Sequence, residues 1–73
     1  MIDLSDIAAR LDADEKLKLT YRFPVSSGGG SFSYEIRTAP LLDVAPESNL
    51  LYVRYEGEVV WVNVEEALEV SPE

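Results

Sequence analysis

Apolar and polar residues alternate most regularly over residues 16–23. Leu17, Leu19, Tyr21 and Phe23 take one side, and Lys16, Lys18, Thr20 and Arg22 take the other. A period of two puts each set on one face of an extended chain, so this stretch predicts a half-buried strand over about 16–23 with a basic wet face. Pro24 has no N–H to give to a ladder and closes it. Val25 to Ser31, with three consecutive glycines, reads as a flexible loop. Phe32, Tyr34, Ile36 and Thr38 then alternate with Ser33, Glu35 and Arg37, which predicts a second strand over about 31–38 returning antiparallel to the first. In this reading Tyr21, Phe32 and Tyr34 point inward, and Glu35 reaches across to Lys18 or Arg22.

Upstream, Leu4, Ile7 and Leu11 recur at helical spacing and predict a short helix over about 4–12. Asp3 or Ser5 caps its first turn, and Asp6 sits well at the positive end of its dipole. So short a helix must dock its apolar stripe on the sheet. Downstream, Pro40 interrupts before a short apolar run, 41–44, read as a brief strand or loop plug. Residues 45–49 form a turn with Pro46 at its second position.

The longest β-rich passage is 50–64, two apolar runs hinged on Glu56-Gly57, predicting a hairpin with strands over about 50–55 and 59–63. A two-residue turn sets Tyr52 opposite Trp61 and Arg54 opposite Val59, with Leu51, Val53, Val60 and Val62 on the other face. A three-residue turn shifts that register by one. Asn63 and Glu66 resemble a capping box, predicting a helical turn over 64–68, with a last short strand through Leu68–Val70 as the other option. Residues 71–73 are expected to fray.

One helix followed by four or five short, bent antiparallel strands makes the fold mainly β. Their order resembles a small open barrel of the SH3-like or Sm-like kind. The alternative is an α+β layout, one helix packed on a four-stranded antiparallel sheet. All of residues 1–73 read as one domain.

Composition narrows the chemistry. The chain has no Cys and no His, which excludes disulfides, Cys-based zinc sites and histidine switches. No apolar run approaches a membrane span, and the acidic start is unlike a signal peptide, so a cytoplasmic protein is expected. Fourteen acids against six bases give a net charge of −8, unevenly spread. Residues 16–40 are net positive, whereas the segments on both sides are strongly acidic. Such acidity favours solubility and disfavours nucleic acid, and it suits a partner with a basic surface.

The motif search excludes more than it finds. The glycines of 28–30 lack the GK[ST] of a phosphate loop and join two strands. Residues 12–15 lack the sixth-position glycine and distal Glu of a calcium loop. Glu65, Glu66 and Glu69 read as a solvated patch. No metal site and no cofactor is expected. Nucleophile–base pairs need His or Cys, and an 8.1 kDa fold leaves little room for a water-excluding cleft, so the chain is expected not to be an enzyme.

Two surface features remain. Lys16, Lys18, Arg22 and Arg37 would form a basic strip fit for phosphates, with edge protection as its commoner role. On the hairpin, both faces carry large apolar groups that must be covered by the core or by another molecule, a second copy included. Core packing is the commoner role for Trp61; yet Tyr, Trp and Arg are also the types enriched at binding hot spots. The expected function is therefore a small acidic protein-interaction module. Tyr52, Arg54 and Trp61 would make the contact and Glu56, Glu58, Glu65 and Glu66 the rim, in one form an inhibitor presenting carboxylates to a basic nucleic-acid-binding site on its partner. A small barrel binding nucleic acid or phosphate through the basic strip is the alternative.

Overall fold

Asp3 begins the fold by capping helix α1 (Leu4–Asp12), its carboxylate accepting the N–H groups of Ser5 and Asp6 at 3.0 and 3.3 Å. Two of the donors a helix start leaves unpaired are thereby satisfied. The computed structural model describes residues 2–26 and 28–73. Ser27, which the sequence assigns to the glycine-rich loop, lies outside the described residues. The predicted stripe of α1 is the one that docks: Leu4 and Ile7 are buried and Leu11 is half-buried. Among the described residues no helix is long and apolar enough to cross a membrane.

Five strands follow: β1 (Leu17–Ser26), β2 (Phe32–Ala45), β3 (Leu50–Tyr55), β4 (Glu58–Asn63) and β5 (Ala67–Pro72). All pairings are antiparallel, in one open sheet of order β4-β3-β2-β1-β5. The molecule is mainly β, with one short helix against β2. A 3₁₀ turn, Pro46–Ser48, joins β2 to β3, with Asn49 left-handed at φ 57°. A second, Val64–Glu66, joins β4 to β5. The core comprises Leu4 and Ile7 of the helix with Leu17, Leu19, Tyr21, Ala39, Leu41, Val44, Leu51, Val53 and Val62 of the sheet.

Four expectations change. β1 does not close at Pro24 but runs on to Ser26, with Pro24 opposite Tyr34, because beyond Tyr21 the strand is paired on the β2 side alone and such an edge tolerates proline. The segments 31–38 and 41–44 are one strand, because Pro40 stands where β2 hands over from β1 (Lys18 opposite Pro40) to β3 (Leu41 opposite Val53). A missing donor at such a handover need not end the strand, which also bulges between Leu41 and Asp43. The chain after Asn63 forms both candidate elements in succession, a 3₁₀ turn and then β5. Ser71 and Pro72 belong to β5, with Glu73 N–H donating to Lys16 O at 3.0 Å, so this end is tied down where fraying was expected.

Candidate interaction surface

The β3–β4 hairpin turns on two residues. Glu56 (φ 52°) and Gly57 (φ 81°) are both left-handed, the type I′ geometry whose twist matches the flanking strands. Tyr52 therefore stands opposite Trp61 and Arg54 opposite Val59, while Leu51, Val53 and Val62 pack into the core from the other face. On the outer face Trp61 is 66% exposed and Val59 61%. Trp61 is thus a surface residue, and of the two roles weighed for it core packing falls away, because its face has no layer of the fold above it. Tyr52 is half-buried beside it, and Arg54 is exposed with no ion pair among the described residues.

The carboxylates sit at the two ends of β4. Glu56 and Glu58 lie at the turn, exposed. At the other end Asn63 Oδ1 accepts the Glu65 N–H at 3.0 Å and so caps the 3₁₀ turn. Glu65 is exposed, whereas Glu66 accepts a 2.7 Å charge-assisted bond from Arg22 Nε. Of the seven candidate contact residues, six remain available and Glu66 is engaged within the fold.

The four cations of the proposed strip do not share a face. In β1–β2 pairing Arg37 stands opposite Tyr21, on the inward side. Its side chain is 16% exposed, with the guanidinium 3.9 Å from the Phe23 ring centre and 4.3 Å from that of Tyr55. Glu35 accepts from it at 3.1 Å, in place of the expected contact with Lys18 or Arg22. Desolvation opposes the Arg37 charge, but Glu35, Tyr21 and Tyr55 outweigh it and hold the pKa above its ordinary value. Among the described residues neither Tyr21 Oη nor Arg37 Nε, both buried, has a hydrogen-bond partner. Arg22 is on the outer face, paired with Glu66 and stacked 4.8 Å over Tyr34. Of the four, only Lys16 and Lys18 have no ion pair among the described residues.

The inversion that turns Arg37 inward turns Phe32, Tyr34 and Ile36 outward, all exposed, against the expectation that Phe32 and Tyr34 point inward. The signal lay in the strand's continuity: if Ala39 and Leu41 face the core, Arg37 must too, and Tyr34 and Ile36 cannot. Phe32 and Tyr34 meet edge to face with centroids 6.4 Å apart. Between the outer part of the β1–β2 hairpin, the arm of the molecule, and β4 lies a cleft of about 370 Å³, with Arg22, Pro24 and Tyr34 on one wall, Trp61 and Asn63 on the other, and Glu66 beside them. A wider hollow of about 690 Å³, between the start of α1 and the two 3₁₀ turns, carries Glu65 but no aromatic side chain.

No protein-family model, no curated protein and no solved structure matches the chain.

Proposed function

We propose that this protein is a small, acidic, non-enzymatic interaction module that meets a basic surface of a partner protein through the outer face of the β3–β4 hairpin. The observation that carries the reading is Trp61. The only Trp of the chain is 66% exposed, beside Val59 and across a cleft from Tyr34, where the fold gains little from it. Aromatic side chains in this setting give much contact area for little ordering, and Trp, Tyr and Arg dominate binding hot spots. Glu56, Glu58 and Glu65 supply a rim that steers a basic partner. In its specific form the partner surface is a nucleic-acid-binding site and the module an inhibitor of it. The strand order, the long bent β2 and the return of β5 to β1 support reading the open sheet as a small barrel of SH3-like or Sm-like kind, with its seam at the cleft.

Dispersal of the four cations over two faces weighs against the nucleic-acid alternative. Trp61→Ala is expected to fold with stability within about 0.5 kcal/mol of the parent, because little of Trp61 is buried. Capture of partner from an extract of the native host is expected to fall about tenfold or more, as for a hot-spot residue. An unfolded variant, or unchanged capture, refutes the reading. Labelled single-stranded RNA and DNA at low salt are expected not to bind; salt-sensitive binding lost in Lys18→Glu moves the function to the alternative.

A further inference from the structure

An open sheet has two edges, and those of this one differ. The outer edge of β5 is blunted by Glu69, by Pro72 and by a register shift in its pairing with β1 at Thr20/Tyr21. In β4 the only charge is Glu58, at its very start: EVVWVN contains no Pro, no Lys and no bulge, and pairs with β3 without a break. Around a two-residue turn the flanking pair, Tyr55 and Glu58, exchanges both ladder bonds, and the bonded pairs recur at Val53–Val60 and Leu51–Val62. The 2.9 Å bond from Val64 N–H to Asn49 O keeps that alternation. The N–H and C=O groups of Val59 and Trp61 and the N–H of Asn63 therefore point away from β3, and among the described residues no other backbone bond engages them, whereas the Asn63 C=O, at the N-cap, serves the 3₁₀ turn that follows. This free edge borders the cleft, whose facing wall is Pro24 and Tyr34 with Arg22, the charge of Arg22 being held by Glu66.

We infer that the β4 edge takes an extended segment of the partner as a sixth strand, its apolar side chains alternating with Lys or Arg. The inference rests on the reading of this hairpin as an interaction face and names how the partner docks. Strand addition draws affinity from backbone bonds and specificity from alternate side chains. Here one set of guest side chains meets Val59, Trp61 and Tyr34. The other passes between carboxylates, Glu58 at one end of the strand and Glu65 just beyond the other. Charge decides between a basic segment and a second copy. A copy brings another −8, and two-fold pairing through Trp61 would carry Glu58 of each chain toward Glu65 of the other.

The test is a random heptapeptide display library selected on the intact chain. Enriched sequences are expected to alternate apolar with Lys or Arg. A saturating selected peptide is expected to slow amide exchange of Val59, Trp61 and Asn63 about tenfold or more. Asn63→Pro removes one edge donor at a φ, −71°, that proline already prefers, so β3 pairing is spared. It is expected to weaken the peptide about tenfold, while Asn63→Ala, which removes only the cap on Glu65, leaves affinity within about threefold. N-methylating alternate amides of the peptide makes the same test without altering the protein. No enrichment, acidic winners, or binding indifferent to both Asn63→Pro and N-methylation overturns strand addition. In that last case, if Trp61→Ala still abolishes partner capture, the interaction module stands and only this docking mode fails. A free chain that sediments as a dimer and becomes monomeric in Asn63→Pro gives the edge to a second copy, which also overturns the proposal.

Discussion

The two hairpins of this sheet are built from the same alternation and end in opposite states. In β3–β4 a tight turn holds the strands in register, and one face, with Leu51 and Val53 at 0% exposure, closes the core. In β1–β2 the base is equally well packed through Leu17, Leu19 and Tyr21. Further out the arm carries Phe32, Tyr34 and Ile36 into water. The molecule is correspondingly long, 46 × 24 × 17 Å. Alternation says which residues share a face; what lies over that face decides whether it is buried. The largest expected effect follows from this contrast. Leu51→Ala is expected to cost about 2–5 kcal/mol in urea unfolding, as for a fully buried leucine, whereas Ile36→Ala, at a residue 61% exposed, is expected to stay within about 0.5 kcal/mol. Comparable losses at both sites would mean that the arm is covered in solution.

Much of the fold was legible because local cues and packing agree. The Leu4/Ile7/Leu11 stripe, the inward set of β1 and the position of the hairpin at Glu56-Gly57 each read correctly, since nothing tertiary overrides them; whether that turn has two residues or three stays open in the sequence, and the structure has two. The inward face of β2 was not legible. It requires knowing that Pro40 does not end the strand, and that depends on which strand β2 pairs with on each side of Pro40. Once the strand is continuous, Arg37 is carried inward and the fold accommodates its charge with Phe23, Tyr55 and Glu35. The candidate site was legible as a set of residues, Tyr52, Arg54 and Trp61 on one face. Its second wall, Pro24 and Tyr34, was not, because it follows from the same inversion.

A smaller effect separates the two residues of the β3–β4 turn. Gly57 has open space where a Cβ would stand, so Gly57→Ala meets no clash and its cost is the left-handed backbone alone, about 1–2 kcal/mol. Glu56, held at φ 52°, is a poor residue for its position, and Glu56→Asn is expected to stabilise the hairpin by a few tenths to about 1 kcal/mol, since Asn adopts that conformation readily. Opposite signs at adjacent residues, read by chemical denaturation, test the turn geometry that sets Tyr52 against Trp61. Equal losses at both positions would point to the three-residue turn.

The smallest effect concerns how the arm is tied to the rest. Of the ion pairs among the described residues, Arg10–Glu15 and Arg37–Glu35 link near neighbours in sequence, whereas Arg22–Glu66 joins the arm to the turn before β5. At 2.7 Å its geometry is good, but both side chains are partly wet, Arg22 at 41% and Glu66 at 29% exposure, so water and salt screen the attraction. Glu66→Gln is expected to lower stability by about 0.5 kcal/mol or less, and the difference is expected to vanish in 1 M salt, where the screening length is about 3 Å. Gln has the length of Glu and keeps a hydrogen-bond acceptor near Arg22, so the variant removes charge more than contact. A loss above about 2 kcal/mol, insensitive to salt, would show a desolvated pair and an arm folded down over the cleft. A small, salt-sensitive loss leaves the arm standing clear of β4, the arrangement that keeps the edge of that strand open to a guest.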